Sequence, residues 1–180
     1  MQAPAVDMVY SGMKFRDFGT GNCFFIEKSH LYQKSLRHHG FKTVEFVAFS
    51  PADQAKDSKL IFVEAKTTLR QERAKARFEE EINDISQKFI DALQLICGVW
   101  HGERKGKASL PANFALFRES GKKIVFVLVV KNIEEPNLFN VKSAILNKLR
   151  REHVLWKFDL MVLSEELAME EKLVLTGDAV

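Results

Sequence analysis

Residues 60–68 read LIFVEAKTT, an apolar run that ends in charge. In a strand, Leu60, Phe62, Glu64 and Lys66 share one face, and Ile61, Val63 and Ala65 share the other. Four consecutive apolar residues fit a strand covered on both sides. A carboxylate and an ammonium at the end of such a strand are costly to bury without compensation. Either they have reached solvent or they face a site that uses them.

The preceding apolar run, TVEFVAF (43–49), is separated from KLIFVEAKT (59–67) by the turn-rich SPADQAKDS (50–58), so the two read as a hairpin. With equal arms about a turn near residues 54–55, the numbers of opposed residues sum to 109. Val47 then faces Phe62, Phe49 faces Leu60, and Glu45 faces Glu64. Two carboxylates opposed on one face repel each other. A divalent cation between them reverses that sign, and oxygen ligation favours Mg²⁺ or Mn²⁺. Ala65 could add its backbone carbonyl as a further ligand, and Lys66, on the same face, could hold or deprotonate a water.

Outward from the hairpin the pattern alternates. FFIEKSHLYQKSLRHHGF (24–41) predicts a helix over its middle, stopped by Gly40. Phe78, Ile82, Ile85, Phe89, Leu93 and Ile96 recur at three and four, which predicts a long amphipathic helix over 78–97. A Gly- and Lys-rich loop (98–113) leads to a buried strand (122–131), a helix (140–156), a last strand (157–164) and a short closing helix. Residues 8–22 read as irregular, with room for a short strand. The expected fold is α/β, a mixed central sheet with flanking helices in the order α-β-β-α-β-α-β. The strand–helix–strand unit near the end predicts a parallel pair.

This order and the charged strand end together resemble the PD-(D/E)xK nuclease superfamily, whose core is restriction-endonuclease-like. The resemblance covers residues 24–163 of a single nuclease-like domain, 1–180. It implies a metal-dependent nuclease acting on phosphodiester bonds, DNA ahead of RNA, with Mg²⁺ or Mn²⁺ as cofactor. Glu45 and Glu64 are implied as metal ligands and Lys66 as the catalytic lysine. Many members add a glutamate from the preceding helix, matched here by Glu27. The chain departs from the pattern in lacking a Pro-Asp pair, so Glu45 stands where the family has Asp. Asp53, the alternative candidate for that place, sits near the turn tip, far along the strand from the level of Glu45. Many bacterial and phage-defence proteins carry this core, and cutting both strands would call for a homodimer. A non-catalytic nucleic-acid- or protein-binding module that keeps the fold is the alternative, with Glu64 and Lys66 as an internal ion pair.

The bare ExK triplet occurs three times, at Glu64, Glu103 and Glu170, and only the first ends an apolar strand. Arg70, Arg73 and Arg77 after the hairpin, and Arg104, Lys105 and Lys107 in the loop, are candidates for phosphate contact. Taken alone, each segment also fits an ordinary solvated loop or helix start. Glu81 and Lys88, seven apart on the long helix, read as a half-exposed flanking pair.

Composition bounds the remaining classes. Apolar residues make up 46% of the 180, charged residues 28%, and net charge is only +3, a globular balance with no overall basic excess. Two cysteines without CxxC spacing, no secretory pattern in MQAPAVDMVYS and no apolar run long enough to span a bilayer predict a cytoplasmic protein without a membrane partner. Neither GxxxxGK, GxGxxG, HExxH nor GxSxG occurs, which argues against NTPase, dinucleotide, zinc-protease and serine-hydrolase chemistry.

Overall fold

The computed structural model describes residues 8–34, 36–50, 58–70, 75–101, 110–111, 113–114 and 123–176. The fold is α/β, built on a mixed five-stranded sheet with flanking helices. A small antiparallel ribbon, β1 (Val9–Tyr10) and β2 (Met13–Lys14), precedes it. The sheet contains β3 (Cys23–Phe24), β4 (Phe46–Ser50), β5 (Lys59–Thr68), β6 (Lys123–Asn132) and β7 (Asp159–Ser164), hydrogen-bonded in that order. β3, β4 and β5 are antiparallel, whereas β5, β6 and β7 run parallel.

The hairpin register is the expected one. Val47 faces Phe62 and Phe49 faces Leu60, so opposed numbers sum to 109 along the ladder. A shift by one residue would send Phe62 and Glu64 to the opposite face, so the apolar pattern fixes the register strongly. β5 and β6 are parallel because a helix must carry the chain back across the sheet between them. That helix, α2 (Lys75–Trp100), buries Phe78, Ile82, Ile85, Phe89, Ala92, Leu93 and Ile96 along one stripe. Phe89 stacks on Phe126 with ring centroids 4.7 Å apart, and Phe62 and Phe158 close around the same ring. The second crossover, from β6 to β7, uses α3 (Glu135–Lys148) and α4 (Arg150–Trp156). This second parallel pair matches the expected strand–helix–strand unit.

The sheet is covered on both faces. Leu60, Phe62, Phe126, Leu128 and Val130 point to α2 and α3. Ile61, Val63, Ala65, Val127 and Val129 face residues 8–15, the short helix α5 (Glu165–Glu170) and Leu173–Val174. The amino-terminal stretch expected to be irregular therefore supplies core, with Met13 and Phe15 almost fully buried.

Three expectations need correction. The stretch 24–41 carries the helix expected over its middle only as the five residues of α1 (His30–Lys34), with a 3₁₀ turn on either side (Ile26–Lys28 and Leu36–His39). Its core residues Ile26, Leu31 and Leu36 are spaced by five, a period no single helix can keep on one face. Gly40, at φ +75°, does end the last turn. The helix expected over 140–156 starts earlier, at Glu135 with Pro136 in its first turn, and breaks at Leu149. Finally, the polar loop expected from residue 98 begins later, because α2 runs to Trp100.

Candidate functional site

Glu64 lies near the end of the buried part of β5, one residue before the buried Ala65, with no solvent exposure at all. Its Oε1 accepts a hydrogen bond from Lys88 Nζ at 2.7 Å, and Lys66 Nζ stands 3.4 Å away. Its Oε2 is buried and has no hydrogen-bond partner among the described residues. Burial pushes the Glu64 carboxyl up, and the two lysines beside it only partly oppose that rise. Burial acts on Lys88 in the opposite sense, yet the Glu64 charge and hydrogen bond, with Asp84 and Glu45 behind them, leave its pKa raised. Once Glu64 ionises, the two form a buried ion pair.

Glu45 lies one residue before β4, and its amide still donates to the Val63 carbonyl at 3.0 Å. The regular pairing ends at Phe46 opposite Val63, and this bond lies one residue out of that register, so the expected pairing of Glu45 with Glu64 is not part of the ladder. The Glu45 carboxyl is pushed up to about 7, first by burial and next by the Glu64 charge. The two acids therefore do feel each other. Glu27, in the first 3₁₀ turn, is exposed, and its charge reaches Glu45 and Tyr10. Tyr10 is pushed up to about 12 by its own burial and by Glu45, Cys23 and Glu27.

The segment bearing Glu45 is tied to α2 rather than left loose. The Lys42 amide donates to Asp91 Oδ2 at 2.9 Å, and Lys42 Nζ pairs with Asp84 Oδ1 at 2.7 Å. Gln87 donates to the other oxygen of Asp91, so that nearly buried carboxylate is held at both oxygens. The start of the long helix is held similarly, with the Arg70 amide donating to Glu81 Oε2 and the Arg70 guanidinium 3.6 Å from Oε1. Glu81, Asp84, Lys88 and Asp91 form a polar stripe at helical spacing beside the apolar one. Each charge on it meets an opposite charge or a backbone donor from the hairpin side. This complementarity sets which way Lys88 points, and the flanking, half-exposed reading of Lys88 is corrected by it.

The site does not gather every candidate. The Ala65 carbonyl accepts a hydrogen bond from Ser11 Oγ at 3.0 Å, so one of its lone pairs is already engaged. Arg70 is committed to Glu81, and Arg77 is exposed on the first turn of α2. Arg73, Arg104, Lys105, Lys107 and Asp53 lie outside the described residues. A cleft of about 420 Å³ opens at the carboxyl ends of β5 and β6, lined by Leu69, Arg70, Asn132, Asn137 and Asn140 among others. It includes neither Glu45, Glu64 nor Lys66.

Compared with known proteins, this chain matches no family model, no curated protein and no solved structure. Its chemistry has to be read from its own residues.

Among the described residues no group of three or more His, Cys, Asp or Glu side chains is placed to hold a metal ion. Two carboxylates are nevertheless what Mg²⁺ commonly takes from a protein, the rest of its octahedron coming from water and substrate phosphate. The orphaned Oε2 of Glu64 fits that use, because a buried anionic oxygen without a donor is costly and a cation would satisfy it. The donor set suits a hard divalent ion. It offers no sulfur or imidazole for a softer one. Among the described residues no helix is long and apolar enough to cross a membrane.

Proposed function

We propose that this chain is a metal-dependent nuclease with a restriction-endonuclease-like core, cutting phosphodiester bonds in nucleic acid, with DNA the preferred substrate. The observation that carries this reading is the fully buried Glu64, with an unpartnered Oε2, within electrostatic reach of Glu45 and beside Lys66. Glu45, just before β4, and Glu64, on β5, would hold Mg²⁺ or Mn²⁺ from adjacent segments. The bound ion would polarise the scissile phosphate and neutralise charge that builds up there. Lys66, with 31% of its side chain exposed, reaches from the buried acid into solvent. There it can donate to an attacking water and keep it aimed at phosphorus. Glu27 is exposed and contributes through its charge, an outer role that suits a second ion or a bound water.

A second reading has its own observation. Lys88 and Lys66 both pair with Glu64, and Ser11 occupies the Ala65 carbonyl, so the site is partly satisfied without a metal. A binding module that keeps the fold would look like this, with the ion pairs serving stability alone.

The deciding experiment is cleavage of supercoiled, linear and single-stranded DNA and of RNA in Mn²⁺ by wild type, Glu64→Ala and Lys66→Ala. Cleavage by wild type, lost in both variants with folding intact, is the expected result. Equal cleavage by all three would put the chemistry elsewhere. Absence of cleavage on every substrate, with no Mn²⁺ binding, would favour the binding module.

A further inference from the structure

Glu64 Oε1 makes its shortest contact not with Lys66, the lysine of its own strand, but with Lys88 on α2, at 2.7 Å against 3.4 Å. The Lys88 ammonium is electrostatically coupled to Glu45 and Asp84 as well. One compact positive charge thus serves the two acids that the proposed function assigns to a divalent cation. An ammonium hydrogen-bonded to a carboxylate and a cation bound to the same carboxylate repel strongly at such range. They also compete for the negative charge of one carboxylate, the ammonium at Oε1 and the cation at the unpartnered Oε2. Lys88 has a flexible four-carbon stem, and 21% of its side chain already reaches solvent, so a way out is open to it. Lys66, farther from Oε1 and more exposed, need not move.

We propose that Lys88 is the built-in counter-ion of this site: it neutralises Glu64 in the metal-free protein and is displaced when a divalent cation binds. The inference rests on the metal reading of Glu45 and Glu64. It goes beyond that reading by making the free protein and the loaded protein two different ion-pairing states. Lys88 then protects the fold against the cost of a buried, uncompensated carboxylate while the metal is absent. It also sets a threshold that keeps a weak or scarce cation out, because only the excess of metal attraction over ammonium attraction appears as affinity.

The test is direct Mn²⁺ binding, followed by the paramagnetic signal of free Mn²⁺ at mildly alkaline pH, for wild type, Lys88→Met, Lys88→Gln, Lys66→Met and Glu64→Ala. Removing the competing charge is expected to tighten Mn²⁺ binding about tenfold in both Lys88 variants. Lys66→Met should change affinity less, and Glu64→Ala should lose the site. Lys88→Gln keeps a hydrogen-bond donor, so it yields the answer if Lys88→Met fails to fold. Equal or weaker binding in the Lys88 variants, with Glu64→Ala still abolishing it, overturns the displacement and leaves the metal reading standing. No binding by wild type or either Lys88 variant at millimolar Mn²⁺, or binding that survives Glu64→Ala, overturns the metal reading and the displacement with it.

Discussion

Lys88 Nζ lies 2.7 Å from Glu64 Oε1 although 24 residues separate them in the chain. The contact joins the centre of the long helix to a fully buried residue near the end of the central strand. It is a tertiary contact between a helix stripe and a strand face, and it gives the candidate site its charge balance.

Breaking that pair from one side should be expensive. In metal-free buffer Lys88→Met is expected to lower stability by about 2 kcal/mol, below the usual cost of a broken buried pair because Lys66 stays beside Glu64. Lys88→Met combined with Glu64→Leu should recover most of the loss, since no buried charge is then left alone. Urea unfolding of the two single variants and the double variant checks this. Additive losses would mean that the pair is not coupled.

Glu45 gives the metal-free protein a pH dependence of defined sign. Its carboxyl sits at about 7 in the fold against an ordinary 4.5, so its contribution to stability is complete below the lower value. That contribution is lost as pH rises through about 7, because the unfolded chain ionises there more easily than the fold does. Glu45→Gln is therefore expected to be more stable than wild type at about pH 8, by about 1–2 kcal/mol after allowing for its partial exposure. At about pH 4 the two should be equal. Denaturant midpoints across that range, without metal, provide the comparison.

Lys66 and Glu64 should separate binding from chemistry. Lys66→Ala is expected to keep Mn²⁺ affinity within about threefold of wild type while cleavage falls by about 10²-fold or more. Glu64→Ala should lose both. Calorimetric titration alongside a single-turnover cleavage assay distinguishes the two, and equal loss of affinity in Lys66→Ala would remove the water-positioning role.

Asp91 is expected to matter through Glu45 although it is far from Glu64 in sequence. It is nearly buried and anchors the Lys42 amide. Asp91→Ala leaves that amide and Gln87 without their acceptor, a loss of about 1–3 kcal/mol. Because Lys42 leads into Glu45, Mn²⁺ binding should weaken as well. A destabilised variant with unchanged affinity would show that the strand ladder alone fixes Glu45.

Phe126 joins the core of the sheet to its helices. It contacts the rings of Phe62, Phe89 and Phe158 and has no exposed surface. Phe126→Ala is expected to cost about 3–5 kcal/mol, read from thermal or urea unfolding.

Local patterns in the chain were enough to place the hairpin, its register and the long helix. Each rests on a local period: alternation about the turn pairs Val47 with Phe62, and recurrence at three and four runs from Phe78 to Ile96. The shared face of Glu64 and Lys66 follows from strand alternation, whereas counting alone would also have paired Glu45 with Glu64, a pair that the ladder stops short of. The closing strand–helix–strand unit was legible for the same reason.

Tertiary structure decided the rest. Ile26, Leu31 and Leu36 have no helical period, so only packing against the sheet shows how all three are buried. Cys23–Phe24 is too short a strand to be read without its partner β4. Lys88 could have been suspected from the polar stripe Glu81, Asp84, Lys88 and Asp91. A stripe on a helix states which residues share a side, but not what that side meets. The rotation of α2 over β5 is set by its apolar stripe on the phenylalanine core and by charge pairs with Lys42, Glu64 and Arg70. All of these contacts are non-local, and that is why the chain order alone could name the two acids and the strand lysine but not the helix lysine that holds one of them.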